Sequence, residues 1–247
     1  MKTKIVILAA GRGTRMGLEL PKVLVLLKGK SMISCLMKAV YDSGVDDCPI
    51  VVVSPGNKEL VEQELSDYKV VYAIQEKQLG TGHAVASVRA LVDASYDNVL
   101  VLYGDHPFLT AESIKSFASS KSEALTIMPT LLPDFEGWHH NFFHLGRIAR
   151  DVSGRVSGII EFKDASEQNK EILEINMGFM CFKRSWLFDN IDNLNSENKA
   201  NEFYLTDLVK IAAAQNKTID SIMVEPRESM GINSKEELAI AEELMKS

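Results

Sequence analysis

Cysteine, proline and long runs of any one character are scarce in this chain. Only three cysteines occur in 247 residues, Cys35, Cys48 and Cys181, widely spaced and without a CxxC pair. So sparse and odd a set argues against a disulfide framework and a cysteine-built zinc site, and reads as reduced thiols. No apolar stretch approaches the roughly 18 residues of a membrane span. The apolar start at Ile5 ends at Gly11-Arg12, short of a signal-peptide core. Lysine and arginine never form a long run and the formal net charge is −7, which argues against charge-driven attachment to nucleic acid or anionic lipid. No internal repeat, low-complexity tract or linker interrupts the chain. A cytoplasmic protein with neither membrane nor nucleic-acid partner is expected.

What is present is globular composition, 46% hydrophobic and 25% charged, enough to bury a core. Short apolar, β-branched runs at Lys4–Ala9, Ile50–Ser54, Val70–Ile74 and Asn98–Tyr103 alternate with helical patterns at Ser31–Ser43, Lys58–Ser66, Gly82–Val92 and Ala111–Ser119. Strand, helix, strand at this spacing predicts parallel strands with crossover helices. The second half changes character. Strands are expected at Ala124–Leu131, Gly146–Asp151, Val156–Phe162 and Glu174–Phe182, a helix at Thr206–Ala214, and a capped helix at Ser234–Lys246. The expected fold is α/β: a Rossmann-like mixed, mainly parallel sheet flanked by helices, with a small inserted β-rich lobe. One domain is expected, its halves about 1–122 and 123–233, closed by a terminal helix over 234–247.

The strongest local signal is Leu8-Ala9-Ala10-Gly11-Arg12-Gly13-Thr14-Arg15-Met16, followed by Pro21-Lys22. A glycine-rich loop straight after a buried strand can bring backbone N–H groups to phosphates, and Arg15 and Lys22 then supply charge for a triphosphate. The alternative is a strand-ending turn with solvated basic residues. Glycines at 11, 13 and 17 miss the GxGxxG spacing, and no GxxxxGK[ST] P-loop is present. Asp105 follows a buried strand in Tyr103-Gly104-Asp105. There a hard carboxylate suits Mg²⁺, although a plain turn carboxylate fits equally.

LAAGRGTRM (8–16) with LPKVL (20–24) resembles the signature of sugar-nucleotide pyrophosphorylases. QLGTGHA (78–84), YGDHP (103–107), GRIARD (146–151), GIIEFKDAS (158–166), EINMGF (174–179) and NEFYLTDLV (201–209) narrow the resemblance. Together they look like the N-terminal uridylyltransferase domain of bifunctional N-acetylglucosamine-1-phosphate uridylyltransferases/glucosamine-1-phosphate acetyltransferases, in matching order from about residue 4 to about 240. The resemblance implies a nucleotide-diphospho-sugar transferase fold and a Mg²⁺-dependent enzyme that makes UDP-N-acetylglucosamine and pyrophosphate from UTP and N-acetylglucosamine-1-phosphate. Another sugar phosphate or base, or a non-catalytic nucleotide-binding role, are the alternatives.

By the same resemblance, Leu8, Ala10, Gly11, Gly13, Tyr103 and Gly104 line the nucleotide pocket, while Gln75, Gly80 and Thr81 read the uracil edge. Arg15 and Lys22 are catalytic, and Asp105 and Asn233 hold the metal. Gly146, Glu161 and Asn176 take the sugar phosphate. His83 is expected to support backbone or packing, and Tyr204, Thr206 and Asp207 are read as structural. Without the resemblance, Asn233 would be a helix-cap candidate in competition with Ser234, and Glu161 an exposed strand residue beside Lys163. No protein nucleophile is required. The repeat-built acetyltransferase domain has no counterpart within these residues, so acetyl transfer is not expected.

One segment departs from the family pattern. Asp134 to Gly146 replaces a short DxxxGYGR connection and carries Trp138, Phe142, Phe143, His139, His140 and His144. Adjacent His139 and His140 on a strand would point apart, which argues against a metal site. A mobile aromatic flap over the acceptor site is expected, or else a solvent-exposed loop.

Overall fold

The computed structural model describes residues 1–11, 13, 20–198 and 200–246. The chain opens with β1 (Thr3–Leu8), a hairpin of β2 (Leu26–Leu27) and β3 (Lys30–Ser31), and α1 (Met32–Ser43). Ser31 caps α1 by accepting from the Ser34 amide, and Gly44 ends it in the left-handed region. There follow β4 (Ile50–Val53), α2 (Lys58–Glu64), β5 (Val71–Ile74), α3 (Thr81–Ala86), β6 (Asn98–Tyr103) and α4 (Ala111–Ala118). The second half contains β7 (Leu125–Leu131), β8 (Arg147–Arg150), β9 (Val156–Ile160), α5 (Glu167–Lys170), β10 (Glu174–Lys183), α6 (Arg184–Asn190), α7 (Asp207–Ala214), β11 (Ile219–Ser221) and α8 (Lys235–Leu244).

Among the described residues nine strands form one sheet, in the order β11-β7-β10-β6-β1-β4-β5, with β8 paired to β10 and to β9. Pairing is parallel at β1–β4, β1–β6, β4–β5 and β11–β7, and antiparallel wherever β10 takes part. The expected mixed, mainly parallel sheet is present. The β8–β9 hairpin that the sequence suggests as a lobe extends that same sheet through β10.

Both faces are apolar, as a covered parallel sheet requires. Ile5, Ile7, Leu100 and Leu102 pack toward α1 and α4, while Val6, Val52, Val99 and Val101 pack with Leu187, Leu208 and Val209 on the other side. No described helix is long and apolar enough to cross a membrane.

Two elements differ from expectation. The helix predicted over 82–92 stops at Ala86 and continues as a 3₁₀ turn over Arg89–Leu91. The Ser87 hydroxyl donates to the Ala84 carbonyl at 2.7 Å, an alternative to the helical ladder. Residues 137–142 form a 3₁₀ helix instead of a strand, so the strand argument about His139 and His140 does not hold. That segment is also docked. Phe142 is 2% exposed, and Phe135 and Trp138 pack on the same core.

The segment has an anchor, Arg147, which is fully buried. Its guanidinium faces the rings of Phe135, Phe143 and Phe162 at 4.9–5.7 Å and donates to the carbonyls of Phe143, Leu145 and Lys170. A flap free of the core is therefore not what the sequence builds.

Candidate functional site

β1 is flanked by β6 on one side and β4 on the other, and the chain leaves it in both directions. At such a switch point the loops beyond the strand ends part and leave a crevice. Leu8 pairs with Tyr103 at the last register position, so the loops after β1 and β6 emerge side by side.

The first loop is held by its neighbours. Ala9 donates to Val52 O at 2.9 Å, and its own carbonyl accepts from Asn57 Nδ2 at 2.8 Å. Gly13 has φ +63°, and a Cβ there would lie 2.5 Å from Lys22 Cβ, so glycine is required. Arg15 lies outside the described residues. Gly104 stands behind this surface, its amide donating to Leu8 O at 3.0 Å and Val23 packed close against it.

Opposite stands the turn after β5. Gln75 is 4% exposed, and its Nε2 lies 3.0 Å from Gly80 O and 3.1 Å from His83 Nδ1. His83 thus supports Gln75, in keeping with the expected backing role. Gly80, at φ +110°, lies so near Phe203 O that a Cβ would approach to 2.6 Å. The Thr81 hydroxyl accepts from the Leu205 amide at 3.0 Å. Leu8, Ala10, Gly11, Gly13, Lys22, Gln75, Gly80, Thr81 and Tyr103 line one cleft of about 820 Å³.

A second cleft of about 360 Å³ adjoins it. Its lining includes Phe142, Gly146, Glu161, Asn176, Tyr204 and Thr206. Glu161 directly follows β9 and is half-buried, and its Oε1 accepts from the Thr206 hydroxyl at 3.1 Å. Burial pushes the Glu161 carboxyl up; Thr206 opposes the rise and Asp207 adds to it. Asn176 donates its amide to Gly146 O at 2.9 Å, and its Oδ1 accepts from the Gly178 amide at 3.1 Å. Tyr204 and Thr206, expected to be structural, also line this cleft. Their only signal was membership of the matched 201–209 segment.

Thr81, Tyr103, Asp105 and Asn233 line both clefts. At this junction the Lys22 ammonium pairs with Asp105 Oδ2 and donates to Asn233 Oδ1 at 2.5 Å. The other carboxylate oxygen, Oδ1, lies 3.0 Å from His106 Nδ1. Burial works against ionising Asp105, but Lys22 and His106 outweigh it and hold the carboxyl well below the usual carboxylate range. Tyr103 is shifted up, by burial first and then by Asp105 and Glu161.

Asn233 is placed by the start of α8. Ser234 takes the cap by accepting from the Glu237 amide at 3.2 Å, and Glu237 accepts from the Ser234 and Asn233 amides. The competition between Asn233 and Ser234 is resolved, and Asn233 faces the junction. Two hard oxygens, one carboxylate and one amide, converge on a single cationic nitrogen. Such hard oxygen donors, only two in number, fit a divalent cation that keeps several water or phosphate ligands.

The family described as MobA-like NTP transferase domain matches residues 5–206. The chain is 38% identical over 247 residues to a Bifunctional protein GlmU of Clostridium novyi, covering 100% of this chain and 53% of the relative. A Bifunctional protein GlmU of Francisella philomiragia is 40% identical over 240 residues, 97% of this chain and 51% of the relative. One of Heliobacterium modesticaldum is 40% identical over 248 residues, 99% and 52%. The chain spans about half the length of the curated relatives it matches.

Proposed function

The chain belongs to the MobA-like NTP transferase domain family, and we propose that it transfers UMP from UTP to N-acetylglucosamine-1-phosphate, releasing pyrophosphate. The observation that carries this reading is the pair of clefts joined at Asp105, Lys22 and Asn233. The larger is roomy enough for a nucleotide, and the smaller presents directional donors and acceptors suited to a sugar.

In the larger cleft Gln75 has its NH₂ end turned to Gly80 O and His83. Its carbonyl oxygen is then the end suited to accept from a pyrimidine N3–H. Gly80, whose missing side chain makes room for the Phe203 backbone, presents its own backbone to the base. In the smaller cleft Glu161 accepts from sugar hydroxyls, and Asn176 and the Gly146 backbone fix the acceptor's orientation.

A sugar phosphate oxygen forms the new bond to the α-phosphorus as the bond to the β-phosphate oxygen breaks on the opposite side. No protein nucleophile takes part, so rate comes from holding both substrates in line and balancing charge. Lys22 exchanges its two protein oxygens for phosphate oxygens, and Arg15, by its place in the motif, joins it. Nucleotidyltransferases of this kind use a divalent cation; Mg²⁺ held by Asp105 and Asn233 would stabilise charge on the phosphoryl oxygens. Three free thiols suit a cytoplasmic setting.

The test is a matrix of nucleoside triphosphates against sugar-1-phosphates, read by pyrophosphate release. UTP with N-acetylglucosamine-1-phosphate should give the highest kcat/KM, and EDTA should abolish it. Preference for another pair would move the reading to a related transferase, and undiminished release in EDTA would remove the metal from it.

A further inference from the structure

His106 is buried to 8% exposure directly after Asp105 and has no task in the proposed transfer. Its ring is fixed on three sides. It stands edge-on to Phe179 with centroids 4.8 Å apart, and it is tilted against Tyr103 at 5.9 Å. Along its Cε1–Nε2 edge runs the backbone of Gly231, so close that a Cβ there would come within 2.8 Å of both ring atoms. The remaining nitrogen, Nδ1, lies 3.0 Å from Asp105 Oδ1. An ionised carboxylate can only accept, so Nδ1 carries the hydrogen and donates it. The loop of Gly231 leads two residues on to Asn233, and the Ile232 amide donates to Asp105 O at 3.0 Å. One imidazole therefore holds a carboxylate oxygen on one side and bears on the Asn233 loop on the other.

We infer that His106 is the positioning residue of the cation site, turning Asp105 so that Oδ2 faces Asn233 Oδ1 and keeping the two loops at the spacing a divalent ion needs. An unrestrained carboxylate rotates about its last side-chain bond, and the ion loses a preset ligand. Groups that orient a ligand from behind typically change metal affinity 10–100-fold when removed. The inference rests on the proposal that Asp105 and Asn233 hold the cation.

The experiment is Mn²⁺ binding to the full chain, followed by electron paramagnetic resonance in the presence of a non-hydrolysable UTP analogue, with no turnover. His106→Phe keeps the ring and its contacts with Phe179 and Tyr103 but has no donor. His106→Asn keeps an N–H near the position of Nδ1 and loses the ring. A positioning role predicts that His106→Phe weakens Mn²⁺ about tenfold while His106→Asn recovers most of the affinity, with kcat following affinity and KM for the sugar phosphate unmoved. Tight binding by the Phe variant and weak binding by the Asn variant would show that the ring only packs, and would overturn the inference. Asp105→Ala separates the two levels. If it binds Mn²⁺ as the parent does, the placement of the ion is wrong and the inference falls with it. If it loses Mn²⁺ while His106→Phe does not, only the inference fails.

Discussion

Glu161 is held by Thr206 while burial and Asp207 favour its protonated form. Because the folded-state value is raised, its contribution to stability is present below its ordinary value of about 4.3 and lost as pH rises through the folded value. Binding runs the other way, since the ionised carboxylate offers both oxygens as charged acceptors, whereas the protonated form turns one of them into a donor. KM for the sugar phosphate is therefore predicted to rise as pH falls through the raised Glu161 value, with KM for UTP much less affected. The acceptor phosphate titrates near pH 6 itself, so the measurement is the ratio of KM in the parent to KM in Glu161→Gln across pH 5–8. A ratio that does not change with pH would contradict an ionised Glu161 in acceptor binding. The type and order of residues at this site were readable from the matched segments. What could not be read was Thr206 turning its hydroxyl onto Glu161, because 45 residues separate them and only the packing of α7 against β9 joins them.

At the scale of elements, the segment over 134–146 shows where sequence patterning stops. Its aromatics were visible, and a flap was a fair reading of a long polar and aromatic insertion. The deciding residue was Arg147, which lies outside the insertion and gives no periodic signal. A buried guanidinium needs acceptors, and the chain bends over 143–145 to supply two of its three carbonyls. The short α6 and the three-residue β11 escaped for a different reason, since neither is long enough to show a period. Strongly periodic or capped elements, α1 and α8 above all, were legible to within two residues. If the segment is a docked wall of the acceptor cleft, Phe142→Ala should cost about 3 kcal/mol or more of unfolding free energy and raise KM for the sugar phosphate more than that for UTP. Urea denaturation with parallel kinetics checks both. An unchanged midpoint would mean that the segment is only a surface loop.

At the scale of the whole molecule, one feature of topology brings the site together. The chain leaves β1 in two directions, so the loops after β1 and β6 open a crevice, and β10 adds an antiparallel strand whose first residues bring Asn176 to the smaller cleft. The parallel half was legible because buried β-branched runs alternated with helical periods. The reversal at β10 was not, because an apolar run says nothing about strand direction. The two clefts meet at Asp105 and Asn233, and the proposed reaction needs no protein nucleophile, so the nucleotidyl group should pass directly from one to the other.

Stereochemistry at the α-phosphorus tests that most directly. With UTP carrying a single sulfur of known configuration on the α-phosphorus, and N-acetylglucosamine-1-phosphate as acceptor, the account predicts a UDP-sugar of inverted configuration, as one in-line displacement requires. Retention would demand two displacements through a covalent enzyme intermediate, and would contradict a site built from two clefts that share one cationic corner.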